Sequence, residues 1–346
     1  MEQTRVGVIG LGRMGQQHCR VYTALPKAEL VGGFDVDPEV GAAVCARYDV
    51  PHFDAMEALL DEVDAVSIVT PTPVHFDLAM ECLGRGLHVL VEKPLADTAE
   101  KAETLQRAAK TRSQIVMVGH LERFNPAYVE LKSVLEGRSV LAITMRRLSA
   151  YFSSNRDIDV VFDLMVHDID LALDLAGQEP ETINAYGLSA HEGAIDHAVT
   201  IFGFAGGPLV TLIASRVTEQ KIRSLEVTAL DAYLEADLLN KSISVHRRTT
   251  AEYLNQDKLG IKYRQESILE GIHVPNQEPL FAELQHFVDC TLDGAVPDVD
   301  VSDGLRAVRI ATSIRESIMG HLLGVARYGR LHPDDVRPVM VPLTND

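Results

Sequence analysis

Residues 163–175, DLMVHDIDLALDL, set four aspartates and one histidine in an otherwise apolar run. If the run is a helix, which turns by about 100° per residue, most of these polar residues share one narrow stripe: Asp163, His167, Asp170 and Asp174. The other sides are apolar, which is typical of a buried helix, and unpaired buried charge is costly. The stripe is therefore expected to face either solvent or a cleft in which it acts.

His167 offers the most versatile chemistry on this stripe. An imidazole has an ordinary pKa of about 6.5, which suits a general base near neutral pH. Asp163, one turn earlier, is a candidate to orient the imidazole or to bind a ligand hydroxyl, and Asp170 is a candidate second partner of His167. Spacing also permits a metal site of Asp163, His167 and Asp170, which we rank behind a metal-free site. Asp174 is interpreted as solvated or capping.

The second stretch with chemical potential lies at residues 4–22, TRVGVIGLGRMGQQHCRVY. It combines an apolar strand, a G-x-G-x-x-G turn and a helix, so that the backbone can approach a pyrophosphate at the helix N-terminus. Asp35 ends the next strand, 20 positions after the last glycine, as the dinucleotide pattern requires. These features favour a dinucleotide site over a purely structural turn. The phosphate contacts are expected from Gly10, Gly12, Arg13, Met14 and Gly15.

The type of dinucleotide is predicted from Asp35. Its carboxylate would accept hydrogen bonds from the ribose hydroxyls of the adenosine. A 2′-phosphate would instead meet Asp35 and Asp37, with no arginine adjacent to them in the sequence. NAD is therefore expected as the cofactor in preference to NADP.

Strand and helix patterns alternate over the first 120 residues, which predicts a parallel, doubly wound α/β sheet. The carboxyl ends of its strands should face the cofactor. Two segments fall at such ends, TPTPVH at 70–75 and EKP at 92–94, and a further strand ends at Gly119. A lysine before a proline is most often a surface residue, but this position favours a site near the nicotinamide for Lys93. Cofactor contacts are accordingly expected from Thr70, Pro71, Thr72, His75, Glu92, Lys93 and His120.

Three segments resemble the Gfo/Idh/MocA family of oxidoreductases: GLGRMGQQH, VDAVSIVTPTPVHFDLAMECLGRGLHVLVEKPLA and DLMVHDIDL. The resemblance implies a Rossmann domain, here residues 1–121, followed by an α+β domain, residues 122–346, with an open, mostly antiparallel sheet. It also implies NAD(P)-dependent oxidation or reduction of a sugar, cyclitol or sugar nucleotide. The family's lysine in E-K-P and its Asp and His four apart correspond to Lys93, Asp163 and His167.

The second half of the chain agrees with that fold. Seven strand-like segments between residues 139 and 248 are separated by turn residues, and helices are predicted near 279–293 and 302–322. A meander of this kind forms a wide antiparallel sheet with one face packed on helices. The other face, if apolar, needs a partner subunit, and the resemblance implies that this sheet forms the oligomer interface, so a homodimer or homotetramer is expected.

Oxidation of a secondary alcohol releases a hydroxyl proton as well as a hydride. His167 is a candidate to take that proton, and Lys93 to stabilise the developing alkoxide, although the sequence leaves open which of the two moves the proton. Asp163 is a candidate to bind a neighbouring sugar hydroxyl. Arg123, Asn125 and Arg156 are further candidates for substrate contacts, with an interdomain salt bridge equally open for Arg123 and a loop charge equally open for Arg156.

Within the family, GHLERFNPA and VVFDLMVHDIDLAL look most like the subgroup that oxidises UDP-N-acetylglucosamine at C3. The alternatives are a dehydrogenase of a free sugar or of a cyclitol such as inositol, and a non-catalytic NAD-binding sensor. A sensor has no need of Lys93, Asp163 and His167. An imine or tetrapyrrole reductase would favour NADP, which Asp35 disfavours.

Composition restricts the partners. The chain has 346 residues and a net charge of −18, which argues against nucleic acid or an anionic membrane as a partner. Its four cysteines are scattered, as expected of reduced core residues in a cytoplasmic protein. We see neither a signal peptide nor an apolar run approaching the roughly 20 residues that a membrane span needs.

Overall fold

The computed structural model describes residues 2–151, 158–190, 194–248, 252–257, 260–264 and 267–322. Two sheets organise these residues, one in the N-terminal part of the chain and one in the C-terminal part. The predicted fold class, a doubly wound α/β domain followed by an α+β domain, is confirmed.

The N-terminal sheet has five parallel strands in the order β2-β1-β3-β4-β5. Its strands are β1 (Thr4–Ile9), β2 (Ala28–Phe34), β3 (Ala65–Ile68), β4 (His88–Glu92) and β5 (Val116–Gly119). The helices that connect or flank them are α1 (Arg13–Ala24), α2 (Pro38–Arg47), α3 (Met56–Leu60), α4 (His75–Gly84) and α5 (Ala99–Lys110). Strands covered on both faces read as continuous apolar runs, and all four residues of β3 and of β5 are indeed buried.

The strand order reverses between β1 and β3, and ligands of open α/β sheets bind at such a point, beyond the carboxyl ends of the strands. The glycine-rich turn follows β1, and the segment 70–75 follows β3. Both predicted cofactor segments therefore lie at the switch point.

The C-terminal sheet has eight strands in the order β15-β12-β11-β10-β6-β9-β8-β7. Every neighbouring pair is antiparallel except β6 and β9, which run parallel. Its strands are β6 (Val140–Leu148), β7 (Thr182–Leu188), β8 (His197–Gly203), β9 (Leu209–Ser215), β10 (Ile222–Ala229), β11 (Ala232–Asp237), β12 (Ser242–Arg248) and β15 (Ser267–Ile272). A separate hairpin joins β13 (Glu252–Asp257) to β14 (Gly260–Arg264).

Three helices cover one face of this sheet: α6 (Pro126–Leu135), α7 (Val166–Ala176) and α9 (Val301–Leu322). Inward side chains alternate along each strand, so that Ile143 and Met145 of β6 lie in the core with Leu212 of β9. The opposite face carries the partly exposed side chains discussed below.

The helix predicted at 163–175 differs from a regular α-helix at its start. Residues Val161–Met165 form one wide π turn, in which the N–H of Val166 donates to the carbonyl of Val161. Helix α7 then runs to Ala176 and ends at Gly177, whose φ of +66° suits glycine. Turns of this kind occur frequently at functional sites.

The chain first crosses between the domains near the predicted boundary at residue 121, and two later helices, within the predicted second domain of residues 122–346, contact the N-terminal domain again. Helix α8 (Pro279–Asp293) returns to the N-terminal domain, where Leu284 and Phe287 are buried against the core of β1 and α1. Helix α9 then spans both cores, with Leu305 in the N-terminal one and Ile314 in the C-terminal one. Apolar periodicity identified these helices but carried no information on which sheet they cover.

The four cysteines are all free and buried, as predicted. Burial raises the pKa of the Cys19 and Cys82 thiols to about 12, so neither is poised to act as a thiolate. Among the described helices, none is both long enough and apolar enough to cross a membrane.

Candidate active site

The glycine-rich turn leaves an open cradle at the start of α1. Gly10 has a φ of +89°, and a Cβ there would lie 2.6 Å from the carbonyl oxygen of Val69. A Cβ on Gly15 would lie 1.9 Å from the carbonyl oxygen of Gly10, so neither position accepts a side chain. A Cβ on Gly12 would meet nothing within 4 Å. Gly12 begins α1 without a side-chain cap, and the first turn has no acidic residue, which suits an anion at this helix end.

Thr70 continues the cradle from β3. Its Cγ2 would lie 2.8 Å from a Cβ on Gly10, which places the two loops against each other. Its hydroxyl Oγ1 is buried and has no hydrogen-bond partner among the described residues. A buried orphan hydroxyl beside an open glycine turn fits a bound dinucleotide, because a ligand would supply the missing partner.

Asp35 supports the cradle from β2. Its Oδ2 accepts from the N–H of Leu11 at 2.7 Å, and its Oδ1 accepts from the N–H of Asp37 at 2.9 Å. The carboxylate thus fixes the glycine turn, and each oxygen retains a lone pair for a ribose hydroxyl. Asp37 caps helix α2 through the N–H groups of Glu39 and Val40.

His75 lies between the segments that follow β3 and β4. The imidazole is buried, with Nδ1 2.9 Å from the carbonyl oxygen of Pro94 and Nε2 2.8 Å from that of Thr70. Both ring nitrogens therefore lie within hydrogen-bond distance of a backbone carbonyl oxygen, and the imidazole N–H donates to one of them. The ring holds the segment after β3 against the segment after β4, while Pro71 and Thr72 form the turn between Thr70 and the ring.

Glu92 also turns away from the open cleft. Its Oε1 lies 3.3 Å from Nε2 of the buried His18, and its Oε2 accepts the N–H of Lys93 at 3.1 Å. Burial alone would raise the pKa of Glu92, but His18 and Lys93 outweigh burial and lower it. This carboxylate therefore fixes the backbone at Lys93, and its contact with the cofactor stays a prediction.

Lys93 reaches across the cleft to the π turn. Its Nζ donates to the carbonyl oxygen of Asp163 at 2.9 Å and lies 4.0 Å from the Oδ1 of the same residue. The side chains of Lys93 and Asp163 are 20% and 24% exposed, so both still reach solvent or a ligand. Burial lowers the pKa of Lys93, and the negative charges of Asp163 and Glu92 offset this only in part.

His167 lies near Lys93, and its Nδ1 is buried with no partner among the described residues. Burial lowers its pKa well below the ordinary value, and the positive charges of Lys93 and Arg147 lower it further. His120, after β5, is buried with both ring nitrogens unpartnered in the described chain. Burial lowers the pKa of His120 as well. Two neutral imidazoles therefore offer unsatisfied nitrogens around the Lys93 ammonium.

The stripe predicted on α7 does not face one cleft. Both oxygens of Asp170 accept from Arg123, at 2.7 Å and 3.0 Å, so the predicted pairing of Asp170 with His167 is wrong. Asp174 is bound by Arg123, Lys132 and the hydroxyl of Tyr128, and its interpretation as solvated or capping is also wrong. Because Asp170 points away from His167, the stripe does not form a set of converging metal ligands.

Arg123 and Asn125, two of the predicted substrate contacts, are both bound by other residues of the protein. The Arg123 side chain is 8% exposed and binds Asp170 and Asp174, the salt-bridge alternative. Asn125 is buried, donates to Glu122 and to the carbonyl of Leu238, and caps helix α6 through its Oδ1. Arg156, the third predicted substrate contact, lies outside the described residues.

Sequence reasoning missed a buried charge network behind Lys93. Arg147 of β6 is bound on one side by both oxygens of Asp168 on α7 and on the other by Oε1 of Glu122. Arg223 of β10 donates to that same Oε1 at 2.9 Å. The alternation of β6 was the available signal, since Arg147 follows Ile143 and Met145 on the buried face.

The glycine cradle provides a place for a dinucleotide, and the cleft beside it contains an amine and imidazoles that can accept a proton from an alcohol. Together they define a dinucleotide-dependent oxidoreductase. Two family models match the chain: "Oxidoreductase family, NAD-binding Rossmann fold" over residues 4–120 and "GFO/IDH/MocA C-terminal domain" over residues 140–235.

Individual relatives agree with these matches. The chain is 32% identical, over 93% of its length and 99% of the relative's, to a UDP-N-acetylglucosamine 3-dehydrogenase of Acidithiobacillus ferrooxidans. It is 28% identical to a scyllo-inositol 2-dehydrogenase (NAD(+)) of Bacillus subtilis over 94% of its length and 98% of the relative's. A solved structure of the Acidithiobacillus enzyme superposes with a TM-score of 0.85 at 31% identity, covering 93% of this chain and 99% of that one. The chain belongs to the Gfo/Idh/MocA family of oxidoreductases, as its EKP and D-x-x-x-H motifs predicted.

Proposed function

We propose that the protein oxidises the C3 hydroxyl of UDP-N-acetylglucosamine, with NAD as the hydride acceptor. The observation that carries this proposal is the meeting of Lys93, Asp163 and His167 in the cleft beside the glycine cradle. The full-length similarity to a UDP-N-acetylglucosamine 3-dehydrogenase supports this substrate. The similarity to a scyllo-inositol 2-dehydrogenase, also over nearly the whole chain, keeps a cyclitol as the alternative.

In this proposal the dinucleotide lies on the cradle of Gly10, Gly12 and Gly15, with the Thr70 hydroxyl as a further donor. Asp35 accepts from the adenosine ribose, so NAD binds in preference to NADP, whose 2′-phosphate would meet this carboxylate. The nicotinamide, when bound, takes the hydride from the alcohol carbon. The protein must orient that carbon and accept the hydroxyl proton.

We assign the proton to Lys93 Nζ. A base works best when its pKa lies near the working pH, and burial brings the pKa of Lys93 down toward that range. Burial also lowers the pKa of His167, but to well below its ordinary value, so its protonated form is disfavoured and it is a poor proton acceptor. His167 then serves as a neutral hydrogen-bond partner of the reacting oxygen. Asp163 stabilises the ammonium formed at Lys93 and binds an adjacent sugar hydroxyl.

The first test is absorbance at 340 nm with NAD and UDP-N-acetylglucosamine, UDP-glucose, free glucose or myo-inositol. NADH formation with the UDP-N-acetyl sugar, abolished in Lys93→Met and retained in Lys110→Met, is the expected outcome. Lys110 is an exposed lysine at the end of α5 and serves as the matched control. Turnover of myo-inositol alone would establish the cyclitol alternative. NAD binding without turnover of any substrate would favour a sensor.

We also propose that the protein is a homo-oligomer joined through the outer face of the C-terminal sheet. On β8 and β9 this face presents Ile201, 37% exposed, and Leu209, 54% exposed. Val199 of β8 lies directly opposite Ile213 of β9 on the same face. An outer sheet face with several exposed apolar side chains is typical of a subunit interface.

A further inference from the structure

Two arginines face each other across neighbouring strands of the C-terminal sheet. Arg147 of β6 is directly paired with Arg223 of β10, and both donate to Oε1 of Glu122 at 2.9 Å. Like charges at directly opposed positions destabilise a sheet. Asp168 accepts from Arg147, whereas the one carboxylate paired with Arg223 among the described residues is the shared Glu122.

Arg223 therefore has capacity left for a ligand. Its side chain is 31% exposed, and only Nη1 has a hydrogen-bond partner among the described residues. The Nε and Nη2 donors remain, in the planar arrangement that guanidinium offers to phosphate oxygens. In contrast, the Arg147 side chain is 2% exposed and forms ion pairs with Glu122 on one side and Asp168 on the other.

Lys221, two residues before Arg223, adds a second cation. It is exposed and makes no hydrogen bond or ion pair within the described chain. The positive charge of Arg223 is the main cause that lowers the pKa of Lys221, followed by partial burial and by the charge of Arg13. Arg13 is exposed at the start of α1, so a cation of the N-terminal domain adds to the positive potential at Lys221.

The cation group also adjoins the proposed reaction centre. Arg223 is among the charges that lower the pKa of both Lys93 and His167. Contacts also link Arg223 to this centre, because it shares Glu122 with Arg147, whose partner Asp168 directly follows His167 on α7. On a chain with a net charge of −18, this local group of cations suits an anionic ligand.

We infer that Lys221 and Arg223 form the subsite that binds the diphosphate of a nucleoside diphosphate sugar, an inference that rests on the proposed function. The diphosphate oxygens accept from the free Arg223 donors and from the Lys221 ammonium. Their negative charge relieves the repulsion among Arg13, Lys221, Arg223 and Arg147. The cofactor pyrophosphate has its own donors in the backbone of the glycine turn.

Binding of UDP to the NADH-loaded enzyme tests this subsite without requiring turnover. We compare wild type, Lys221→Met and Arg223→Gln by calorimetry, and determine the Kd of NADH for each. Arg146→Gln is the matched control, since Arg146 neighbours Arg147 on β6 but is partly exposed and paired with Glu226. Each subsite variant should bind UDP about tenfold more weakly or worse, as expected for a lost charged hydrogen bond, with an unchanged NADH Kd. Arg146→Gln should match wild type.

Several outcomes overturn the inference. A weaker NADH affinity with an unchanged UDP affinity would assign these cations to the cofactor. If the wild type does not bind UDP, or if both variants bind it as tightly as the wild type does, the subsite assignment is refuted. This holds even if the enzyme oxidises UDP-N-acetylglucosamine. Conversely, both variants could weaken UDP binding while the wild type fails to oxidise UDP-N-acetylglucosamine. That result would support the subsite and refute the proposed substrate.

Discussion

At the scale of single residues, the proposed proton acceptor has a distinct pH signature. Lys93 must be neutral to take a proton, so alcohol oxidation should become faster as the pH rises toward the pKa of Lys93, which burial places below the ordinary lysine value. His167 is already neutral at such pH because its pKa is lowered. We expect kcat to rise with pH in this alkaline range both in wild type and in the His167→Asn variant, which should be slower overall. A limb below pH 6.5 that disappears in His167→Asn would identify His167 as the acceptor instead.

A second residue, Glu283 of α8, should make stability depend on pH. Its carboxylate is fully buried, and neither oxygen has a hydrogen-bond partner among the described residues. Burial, reinforced by the charge of Glu92, raises its pKa well above the ordinary value. Between its unfolded and folded pKa values, Glu283 is therefore protonated in the folded protein and ionised in the unfolded chain. Its contribution to the free energy of unfolding falls as the pH rises through this range.

Glu283→Gln removes this titration while preserving shape. The variant should gain free energy of unfolding relative to wild type at pH 8 and above, and the difference should shrink toward pH 4. Urea denaturation at both pH values measures it. Glu57→Gln, at an exposed glutamate of α3, is the control and should follow wild type throughout. An equal effect of Glu283→Gln at both pH values would show that packing, not ionisation, is responsible.

At the scale of elements, α7 is held to the C-terminal sheet by charge as well as by apolar packing. Asp168 accepts from Arg147 through both oxygens, and both side chains are almost inaccessible to solvent. Removing one partner of a buried pair leaves the other charge without compensation. We expect Asp168→Ala to lose about 3–5 kcal/mol of unfolding free energy. The exposed pair Arg85–Asp61 is the control, and Asp61→Ala should lose about 1 kcal/mol or less.

The measurement is equilibrium urea denaturation of both variants beside wild type. A double variant, Arg147→Met with Asp168→Leu, should recover much of the loss, because it removes both charges and retains apolar volume. Equal losses in the single and double variants would mean that the pair acts through packing rather than through uncompensated charge.

The elements also explain how far the sequence could predict the site. The glycine turn, Lys93 after β4 and the Asp163–His167 spacing are local patterns, and the structure places them around one cleft. The partners of Asp168 and Asp170 are not local, because Arg147 arrives from β6 and Arg123 from the turn after β5. A helical wheel ranks side chains by angle alone. It cannot show which neighbouring element carries the opposite charge.

At the scale of the whole molecule, the same limit applies to the domains. The alternation of strands and helices predicts both sheets, because each sheet follows from periodicity along consecutive segments. The return of α8 to the N-terminal core depends on Leu284 and Phe287 finding α1 and β1, more than 250 residues earlier in the chain. Helix α9 likewise packs in both hydrophobic cores. A single helix therefore connects the N-terminal domain to the sheet that carries Arg223.

The outer face of that sheet gives the last prediction, which concerns assembly. If subunits associate through Ile201, Val199 and Ile213, an ammonium in the centre of this face must lose its hydration without a partner. Ile201→Lys should therefore shift a dimer or tetramer toward the 38.0 kDa monomer in sedimentation velocity at micromolar concentration. Val296→Lys, at an exposed valine in the loop after α8, adds the same charge elsewhere and should leave the assembly intact. A wild type that sediments as a monomer, or an Ile201→Lys variant that retains the wild-type mass, would place the interface elsewhere or remove it.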